Sequence, residues 1–334
     1  MAFHFEPGTR LGASYVVLAQ IGHGGMGVVL LARDEQLERE VAIKLIRPDL
    51  VNDALRERFV DEARAMARVS HPNVLPIYAF GEHEGAPYFV TQVVRGQTVE
   101  DWLHSRPANL APNLDVAFKI MADTCRGVAA IHAADTVHRD LKPSNLLLDP
   151  DFGVRVADMG VAAIRHHAPG EERREIVGTP EYMAPECVLQ ETVPPELAHR
   201  ADVYALGCLA YELFTGETPF AAKGTTLARM IAHTREVPAR PSSRRPDLSE
   251  ELDDAILAAL AKNPVLRTHS AEAFARALSA ARTKAREPVR ILVAEDDDDF
   301  RVALGATLRL EFPDAVVDCV TDGRAALGAF EEQV

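Results

Sequence analysis

Residues 138–145, HRDLKPSN, constrain what this chain can fold into more than any other feature. The string sets an aspartate, Asp140, a lysine, Lys142, and an asparagine, Asn145, a few residues apart. Such an aspartate can orient a hydroxyl group, the lysine can neutralise a phosphoryl group in transfer, and the asparagine can hold Mg²⁺. The string therefore predicts a phosphoryl-transfer loop, and the fold must bring a nucleotide to it.

A glycine-rich run near the N-terminus can form that nucleotide site. Residues 21–29 read IGHGGMGVV and match the pattern GxGxxGxV. Glycine lets the backbone approach phosphate oxygens, because no Cβ intrudes. A Rossmann turn would lead into a helix, whereas the strand-like VVLLAR follows here; a plain β-hairpin turn stays open as an alternative. The predicted nucleotide contacts in this run are Ile21, Gly22, His23, Gly24, Gly25, Met26, Gly27, Val28 and Val29.

A lysine follows the glycine run inside the apolar string VAIKLI. On a strand beneath a glycine loop, this residue, Lys44, can pair with nucleotide phosphates. Its neighbours Ile43 and Leu45 are apolar, which favours an inward, paired lysine over a surface one. The glycine run and the lysine together are far more specific than either alone.

The pattern of secondary structure changes once along the chain. Strand-like runs dominate up to about residue 94, with one helical pattern over 53–69 that the string HPN ends. This order predicts an α+β protein in which a small β-rich lobe precedes a larger α-rich lobe. Helical patterns in the second lobe cover 114–133, 202–214, 225–235, 249–260 and 270–282.

Composition excludes several classes of partner. The formal net charge of −14 opposes the phosphate attraction on which binding to nucleic acids or anionic membranes depends. The 4 cysteines are widely spaced without a CxxC pair, as expected in a reducing compartment. No signal peptide pattern and no membrane-length apolar stretch is present. We therefore expect a cytoplasmic protein with no nucleic-acid partner and no membrane span.

These strings together resemble the protein kinase superfamily, in particular its bacterial eukaryotic-like Ser/Thr branch, over residues 11–282. The resemblance implies a bilobal protein kinase fold, with the N-lobe over 11–94 and the C-lobe over 95–282. It implies ATP and Mg²⁺ as cofactors and the Ser or Thr hydroxyls of proteins as phosphoryl acceptors. The strings KPSN and GTPEY resemble the Ser/Thr type rather than the tyrosine type.

The same resemblance assigns further parts of the nucleotide site. Glu62, in FVDEARAMARVSHPN, matches the helix acid of the family that pairs with the strand lysine, Lys44. Thr91, in YFVTQVVRG, falls at the gatekeeper position, and the hinge from Gln92 to Val94 follows. A half-buried strand threonine is equally compatible with that position. The predicted catalytic set is Asp140, Lys142, Lys44 and Glu62.

Two aspartates compete for the second metal-binding role. A literal DFG stands at 151–153, but it forms the turn in NLLLDPDFGVRVADMG between two short strands. The family places the metal-binding acid after the second strand, where Asp158 stands in DMG. We therefore expect Asn145 and Asp158 to bind Mg²⁺ and Asp151 to be a solvated turn residue. Met159 replaces the usual phenylalanine.

The string GTPEYMAPE at 178–186 resembles the end of the family's activation segment. The resemblance pairs Glu186 with Arg267 of KNPVLRT in a structural ion pair, and it gives Thr179 a contact with the catalytic loop. Asp202 in DVYALG resembles the acid that steadies this loop from a long apolar helix.

The segment before GTPEY differs from the same segment in many relatives. In those kinases, phosphorylation of this segment activates the enzyme. Residues 160–178 contain no Ser, Thr or Tyr. Glu171, Glu172 and Glu175 stand there instead and could supply the negative charge that Arg139 otherwise receives. We hypothesise a loop that is ordered without phosphorylation; a solvated, mobile loop is the alternative.

A second region follows a polar segment. Residues 283–288, TKAREP, predict a linker, and residues 289–334 begin with VRILVAEDDDDF, an acidic cluster after an apolar strand. This region resembles the N-terminal half of a response-regulator receiver domain, a flavodoxin-like α/β fold, with Glu295 and Asp296 as Mg²⁺ ligands by resemblance. The phosphoaccepting aspartate is not encoded, so we expect no phosphoreceiver function. We expect these residues to be poorly ordered, to self-associate, or to be the remnant of a longer gene product.

Three functions remain after this comparison of motifs. The leading one is a Ser/Thr protein kinase in bacterial signal transduction. The alternatives are a nucleotide-binding pseudokinase scaffold and a kinase-receiver hybrid whose partners are two-component signalling proteins. The kinase is favoured because its whole set is present, namely Lys44, Glu62, Asp140, Asn145 and Asp158.

Overall fold

The chain forms two compact units, 1–281 and 282–334. The first unit has a sheet lobe followed by a helical lobe, as the sequence predicts, and the second is a small α/β unit. The predicted linker includes residues outside the described part of the chain, so its limits stay a prediction. The computed structural model describes residues 5–23, 27–47, 51, 53–106, 111–158, 179–284, 290–312 and 316–322.

An antiparallel sheet and one helix form the first lobe. Their bounds are β1 Arg10–Leu11, β2 Tyr15–His23, β3 Gly27–Asp34, β4 Arg39–Ile46, α1 Asp53–Ala67, β5 Ile77–His83 and β6 Ala86–Gln92. The strand order is β1-β2-β3-β4-β6-β5. Helix α1 therefore interrupts the chain between β4 and β5 and packs against β5 and β6.

The alternation of side chains along β4 decides where its lysine points. Val41, Ile43 and Leu45 are fully buried in one apolar cluster of the sheet lobe. Because successive side chains of a strand point to opposite faces, Lys44 lies on the other face. The apolar neighbours thus orient the lysine towards the site described below.

Short strands and helices build the second lobe. The five helices predicted for this lobe and the one predicted for the first lobe are all present, with ends within two residues of the predicted ones. The strands form a small sheet in the order β7-β8-β9. The bounds are β7 Gln97–Thr98, α2 Val99–His104, α3 Leu114–Ala133, β8 Leu146–Leu148, β9 Val154–Val156, α4 Pro185–Leu189, α5 Arg200–Thr215, α6 Thr226–Arg235, α7 Glu250–Ala259 and α8 Ala271–Lys284.

Helix α5 runs through the core of this lobe. From Asp202 to Phe214, every residue except Glu212 is buried. A helix that is apolar on all sides lies in a core, and α3 and α7 pack against this one. Its few buried polar groups can therefore serve as fixed points for neighbouring loops.

The turn that ends α1 fastens the two lobes together. The side-chain amide of Asn73 donates to the carbonyl of Val154 at 2.9 Å, and the Asn73 carbonyl oxygen accepts from Arg126 at 3.3 Å. Helix α3 passes so close that a Cβ on Gly127 would lie 2.5 Å from the backbone oxygen of Asn73. Only glycine permits this approach.

The second unit is a β-α-β arrangement with β10 Arg290–Ala294, α9 Asp298–Glu311 and β11 Val316–Val320. The two strands pair in parallel, with Ile291 opposite Val317. Parallel neighbours need a crossover connection, which α9 provides. Within the described ranges of both units, no helix has the length and apolar character needed to cross a membrane.

Candidate active site

The loop 138–145 brings its three predicted side chains into contact. Lys142 Nζ lies 2.9 Å from Asp140 Oδ2. The Asn145 amide nitrogen donates to the same carboxylate oxygen at 3.1 Å and to the Asp140 backbone carbonyl at 2.8 Å. The side-chain carbonyl oxygen of Asn145 takes no part in these two bonds, and its role as a metal ligand stays a prediction.

An ion pair joins the sheet lobe to the residue that follows β9 in the helical lobe. Lys44 Nζ donates to Asp158 Oδ1 at 2.6 Å. Burial alone would raise the pKa of Asp158, but the Lys44 ammonium holds that pKa below its usual value. Asp158 therefore stays a carboxylate, the form that binds a cation.

Two residues of the site have a strained backbone. Arg139 and Asp158 adopt φ values of 68° and 52°, in the left-handed region that is costly for residues with a Cβ. His138 bonds to a neighbour of each of these residues. Its Nε2 lies 3.0 Å from the carbonyl oxygen of Ala157, which precedes Asp158, and its Nδ1 lies 3.3 Å from the amide of Asp140, which follows Arg139. Burial lowers the pKa of His138, so the ring is neutral and can both donate and accept.

Asp202 on α5 fixes the loop from the core of the lobe. Its carboxylate accepts the backbone amides of His138 at 2.7 Å and Arg139 at 2.8 Å. His132 Nε2, from the last turn of α3, lies 2.8 Å from the same carboxylate. Burial alone would raise the pKa of Asp202, but the hydrogen bond from His132, the nearby His138 and the bond from the Arg139 amide lower that pKa. His132 was not predicted from the sequence. The one feature that marked it as a possible site residue is its position in the last turn of α3.

Residues 179–182, here called the acceptor segment, lie beside Asp140. Thr179 Oγ1 is 3.5 Å from Asp140 Oδ1. The Tyr182 hydroxyl donates to Glu212 at 2.6 Å. A cavity of about 230 Å³ opens between α2 and this segment, with Glu100 and Glu212 in its wall. The arrangement leaves room for a side chain of a bound polypeptide next to the loop.

An ion pair holds the same segment from the other side. Glu181 pairs with Arg229 on α6. Sequence analysis predicted neither Arg229 nor Glu212. The reason is distance along the chain, since 48 residues separate Glu181 from Arg229 and 30 separate Tyr182 from Glu212.

Comparison with known proteins decides what this arrangement belongs to. Residues 15–278 match the family model described as the protein kinase domain. The chain belongs to the protein kinase family. One relative is the serine/threonine-protein kinase PknB of Mycolicibacterium smegmatis, 38% identical over 258 residues, or 75% of this chain and 40% of that protein.

Two further similarities place this kinase domain more closely. The serine/threonine-protein kinase pkn3 of Myxococcus xanthus is 38% identical over 286 residues, 82% of this chain and 51% of that protein. The PknI kinase domain of Mycobacterium tuberculosis superposes with a TM-score of 0.65 at 26% identity, covering 83% of this chain and 99% of that one. The predicted bacterial Ser/Thr kinase domain is confirmed. The chain spans about two-fifths to one-half of the length of these curated relatives.

The glycine run of the kinase domain lies at the turn between two strands. Ile21, Gly22 and His23 end β2, and Gly27, Val28 and Val29 begin β3. Glycine is required at the start of β3, because a Cβ on Gly27 would lie 2.2 Å from the carbonyl oxygen of Leu45. The tip, Gly24, Gly25 and Met26, lies outside the described residues.

The predicted gatekeeper and hinge lie at the end of β6. Thr91 is only 4% exposed, and its hydroxyl donates to the carbonyl of Gln92 at 3.3 Å. Val94 packs against the core of the helical lobe. Glu62 lies on α1, but its side chain is outside the described part, so its pairing with Lys44 stays a prediction.

The literal DFG lies in the turn between β8 and β9. Asp151 is exposed, and its amide donates to Asp149 at 3.1 Å. Asp158, which follows β9, is the aspartate that meets Lys44. The structure thus places these two acids where the sequence analysis expected them, whereas Met159 and the glutamates 171, 172 and 175 lie outside the described residues.

A buried ion pair joins α4 to the turn after α7 in the helical lobe. Arg267 donates to both carboxylate oxygens of Glu186, at 2.7 and 2.9 Å. The two side chains are 0% and 4% exposed. This is the pair expected from the sequence, and its fork geometry is typical of structural arginines.

The two acids predicted as receiver metal ligands follow β10. The Glu295 amide donates to the Val320 carbonyl at 3.1 Å, and the Glu295 carboxylate accepts the Asp297 amide at 3.1 Å. Asp296 is exposed. Among the residues that the structure describes, no three His, Cys, Asp or Glu side chains gather as a metal site. The metal role of Glu295 and Asp296 stays a prediction.

Proposed function

We propose that this chain is an active Ser/Thr protein kinase that transfers the γ-phosphoryl group of ATP to Ser or Thr hydroxyls of proteins in bacterial signal transduction. One observation carries the proposal: Lys44 meets Asp158, and Asp140 meets Lys142 and Asn145, at hydrogen-bonding distances. The Ala157 amide, next to Asp158, donates to the Asn145 backbone carbonyl at 2.9 Å and so joins the two groups. Such a convergence supports catalysis over a pseudokinase scaffold.

The arrangement acts by positioning and by charge. The carboxylate of Asp140 orients the acceptor hydroxyl, and Thr179 supports that carboxylate. Lys142, beside Asp140, neutralises the developing charge of the phosphoryl group. Lys44 binds the nucleotide phosphates from the sheet lobe. Bound Mg²⁺ would neutralise phosphate charge, and the oxygen atoms of Asn145 and Asp158 fit it.

We also propose that residues 289–334, which follow a linker at 283–288, form the first half of a receiver-like domain. The parallel β-α-β order and the acids at the end of β10 support this proposal. On this proposal, two-component signalling proteins are candidate partners. We also propose a cytoplasmic location for the chain.

Loss of Asp140 should abolish transfer. Asp140→Asn keeps the volume but removes the carboxylate, so labelled phosphate transfer from ATP to a basic protein substrate should fall roughly 10² to 10⁴-fold. Asp158→Asn should be equally impaired while binding Mg-ATP more weakly. The matched control is Asp151→Asn in the exposed turn, which should retain activity.

Two results would contradict the proposal. Tight ATP binding by the wild-type chain without any transfer would make it a pseudokinase. Transfer that survives in Asp140→Asn would show that another group, or a contaminating kinase, performs the reaction. Mass spectrometry of the labelled protein should find phosphate on Ser or Thr.

A further inference from the structure

Three polar side chains outside the catalytic set form a line of contacts behind the acceptor segment. Lys262 Nζ donates to the Tyr204 hydroxyl at 3.0 Å, and that hydroxyl lies 2.9 Å from His233 Nδ1. Tyr204 and His233 are 0% and 1% exposed. The three residues come from the turn after α7, from α5 and from α6. They are here called the relay.

The donors and acceptors of the three side chains set the direction of the hydrogen bonds in the relay. A lysine ammonium has donors only, so the Tyr204 oxygen accepts from Lys262. The tyrosine proton is then available to Nδ1 of His233, which must be neutral to accept it. Burial lowers the pKa of His233 to about 3, so the neutral ring carries its proton on Nε2. Linked hydrogen bonds of this kind polarise one another and hold a single geometry.

The relay reaches the acceptor segment at Glu181. His233 lies on α6, and this helix packs against residues Pro180–Tyr182 of the acceptor segment. Arg229, one turn earlier on α6, pairs with the Glu181 carboxylate. Arg229 is itself held by the Lys223 carbonyl at 3.3 Å. Helix α6 therefore holds Glu181 through an ion pair to its side chain and through packing against the residues around it.

Aromatic rings enclose the start of the relay. Lys262 Nζ lies 5.3 Å from the Tyr204 ring centre and 4.9 Å from that of Phe220. The rings of Phe220 and His233 meet edge to face at 4.8 Å. Burial, with a contribution from Arg267, lowers the pKa of Lys262 to about 8. Placing a cation there is costly, which argues for a positional role.

We propose that Lys262, Tyr204 and His233 are positioning residues for the protein substrate, because their relay fixes the acceptor segment at Glu181. The contacts described above lead to Glu181 rather than to Lys44 or Asp140. Loss of the relay should therefore affect binding of the protein substrate more than binding of ATP. The inference rests on the proposed function only in naming what the segment binds.

The first test measures the segment directly, without catalysis. Tyr204→Phe removes one hydroxyl and keeps the ring, and Lys262→Met removes the donor and keeps the stem. Hydrogen-deuterium exchange with mass spectrometry on the full chain should show faster exchange over residues 179–184 in both variants. One reporter is the Tyr182 amide, which donates to the Thr179 carbonyl at 3.0 Å.

The matched control is Tyr211→Phe on the same helix. Tyr211 is also fully buried, but its hydroxyl bonds to Arg244 Nε at 3.1 Å, away from the acceptor segment. This variant should leave exchange over 179–184 unchanged, so it separates loss of the relay from loss of any buried tyrosine hydroxyl.

The second test divides the kinetic constants. Tyr204→Phe should raise KM for a protein substrate about 5 to 10-fold, while KM for ATP and kcat change less than about 2-fold. Lys262→Arg, which keeps a donor, should recover part of the loss seen with Lys262→Met. If the three residues act as one unit, Tyr204→Phe combined with Lys262→Met should be little worse than Tyr204→Phe alone.

The outcomes are distinct. Unchanged exchange over 179–184 in Tyr204→Phe overturns the relay whatever the activity. Faster exchange with an unchanged protein KM overturns its role in substrate positioning. Faster exchange in a chain that transfers no phosphate supports the hold on the segment and sinks the proposed kinase function instead.

Discussion

The carboxyl group of Glu212 lies beside the acceptor segment in an apolar helix and accepts the Tyr182 hydroxyl. Burial raises its pKa to about 7, although the hydrogen bond from Tyr182 and the nearby His104 and Arg106 oppose the rise, and Glu100 adds to it. The folded state thus binds this proton more tightly than the unfolded state. The resulting stabilisation is present below the ordinary glutamate pKa and is lost as pH rises towards 7.

Glu212→Gln should remove this pH dependence. The glutamine still accepts from Tyr182 but carries no charge, so at pH 8 the variant should be more stable than wild type by about 1 to 3 kcal/mol. Thermal unfolding between pH 5 and pH 8.5 measures the difference. Glu196→Gln, at an exposed site, should follow the wild-type curve. A parallel curve for Glu212→Gln would contradict the assigned shift.

Helix α2 shows how a short element depends on its first residue. It has only 6 residues, yet it brings Val99, Trp102 and Leu103 into the core. So short a helix is marginal by itself. Thr98 starts it with a reciprocal pair of bonds, since its hydroxyl accepts the Asp101 amide at 3.0 Å and the Asp101 carboxylate accepts the Thr98 amide at 3.2 Å.

Thr98→Ala should cost about 1 kcal/mol of unfolding free energy, because the Asp101 amide loses its acceptor. Urea denaturation measures the loss. Thr98→Ser keeps the hydroxyl and should lie close to wild type. Equal losses in both variants would show that the threonine methyl, rather than the cap, stabilises the helix.

At the scale of the whole kinase domain, Arg267 joins parts that are far apart in the chain. It binds Glu186, which is 81 residues away, and donates to the carbonyls of Ala261, Lys262 and Arg200. The guanidinium supplies enough donors in one plane for this set, which lysine cannot. Helix α4, the start of α5 and the turn after α7 are therefore held by one side chain.

Arg267→Met should destabilise the domain by about 3 to 5 kcal/mol, because it leaves the carboxylate of Glu186 buried without a partner. Chemical denaturation followed by circular dichroism measures this change. Arg95→Met removes an exposed partner of Glu40 and should stay within about 0.5 kcal/mol of wild type. A comparably small effect at Arg267 would mean that water enters the site of the pair.

Sequence reasoning predicted what short strings encode. The contacts within loop 138–145 and the six main helices depend on neighbouring residues and regular spacing, and the structure shows both. The choice of Asp158 over Asp151 came from family resemblance; Asp158 meets Lys44, and its metal-binding role stays a prediction. The pair Glu186 and Arg267 was found through family resemblance. The side chain of Glu62 and the receiver assignment remain predictions.

The sequence by itself determined the two lobes and the chemical groups of the site, because periodic burial and local strings act over a few residues. Only the tertiary structure decided which distant groups meet. His132 reaches Asp202 across 70 residues, and Tyr204 reaches His233 across 29 and Lys262 across 58. Such contacts depend on how helices pack in three dimensions, and no local pattern in the chain encodes the partner of a buried polar group.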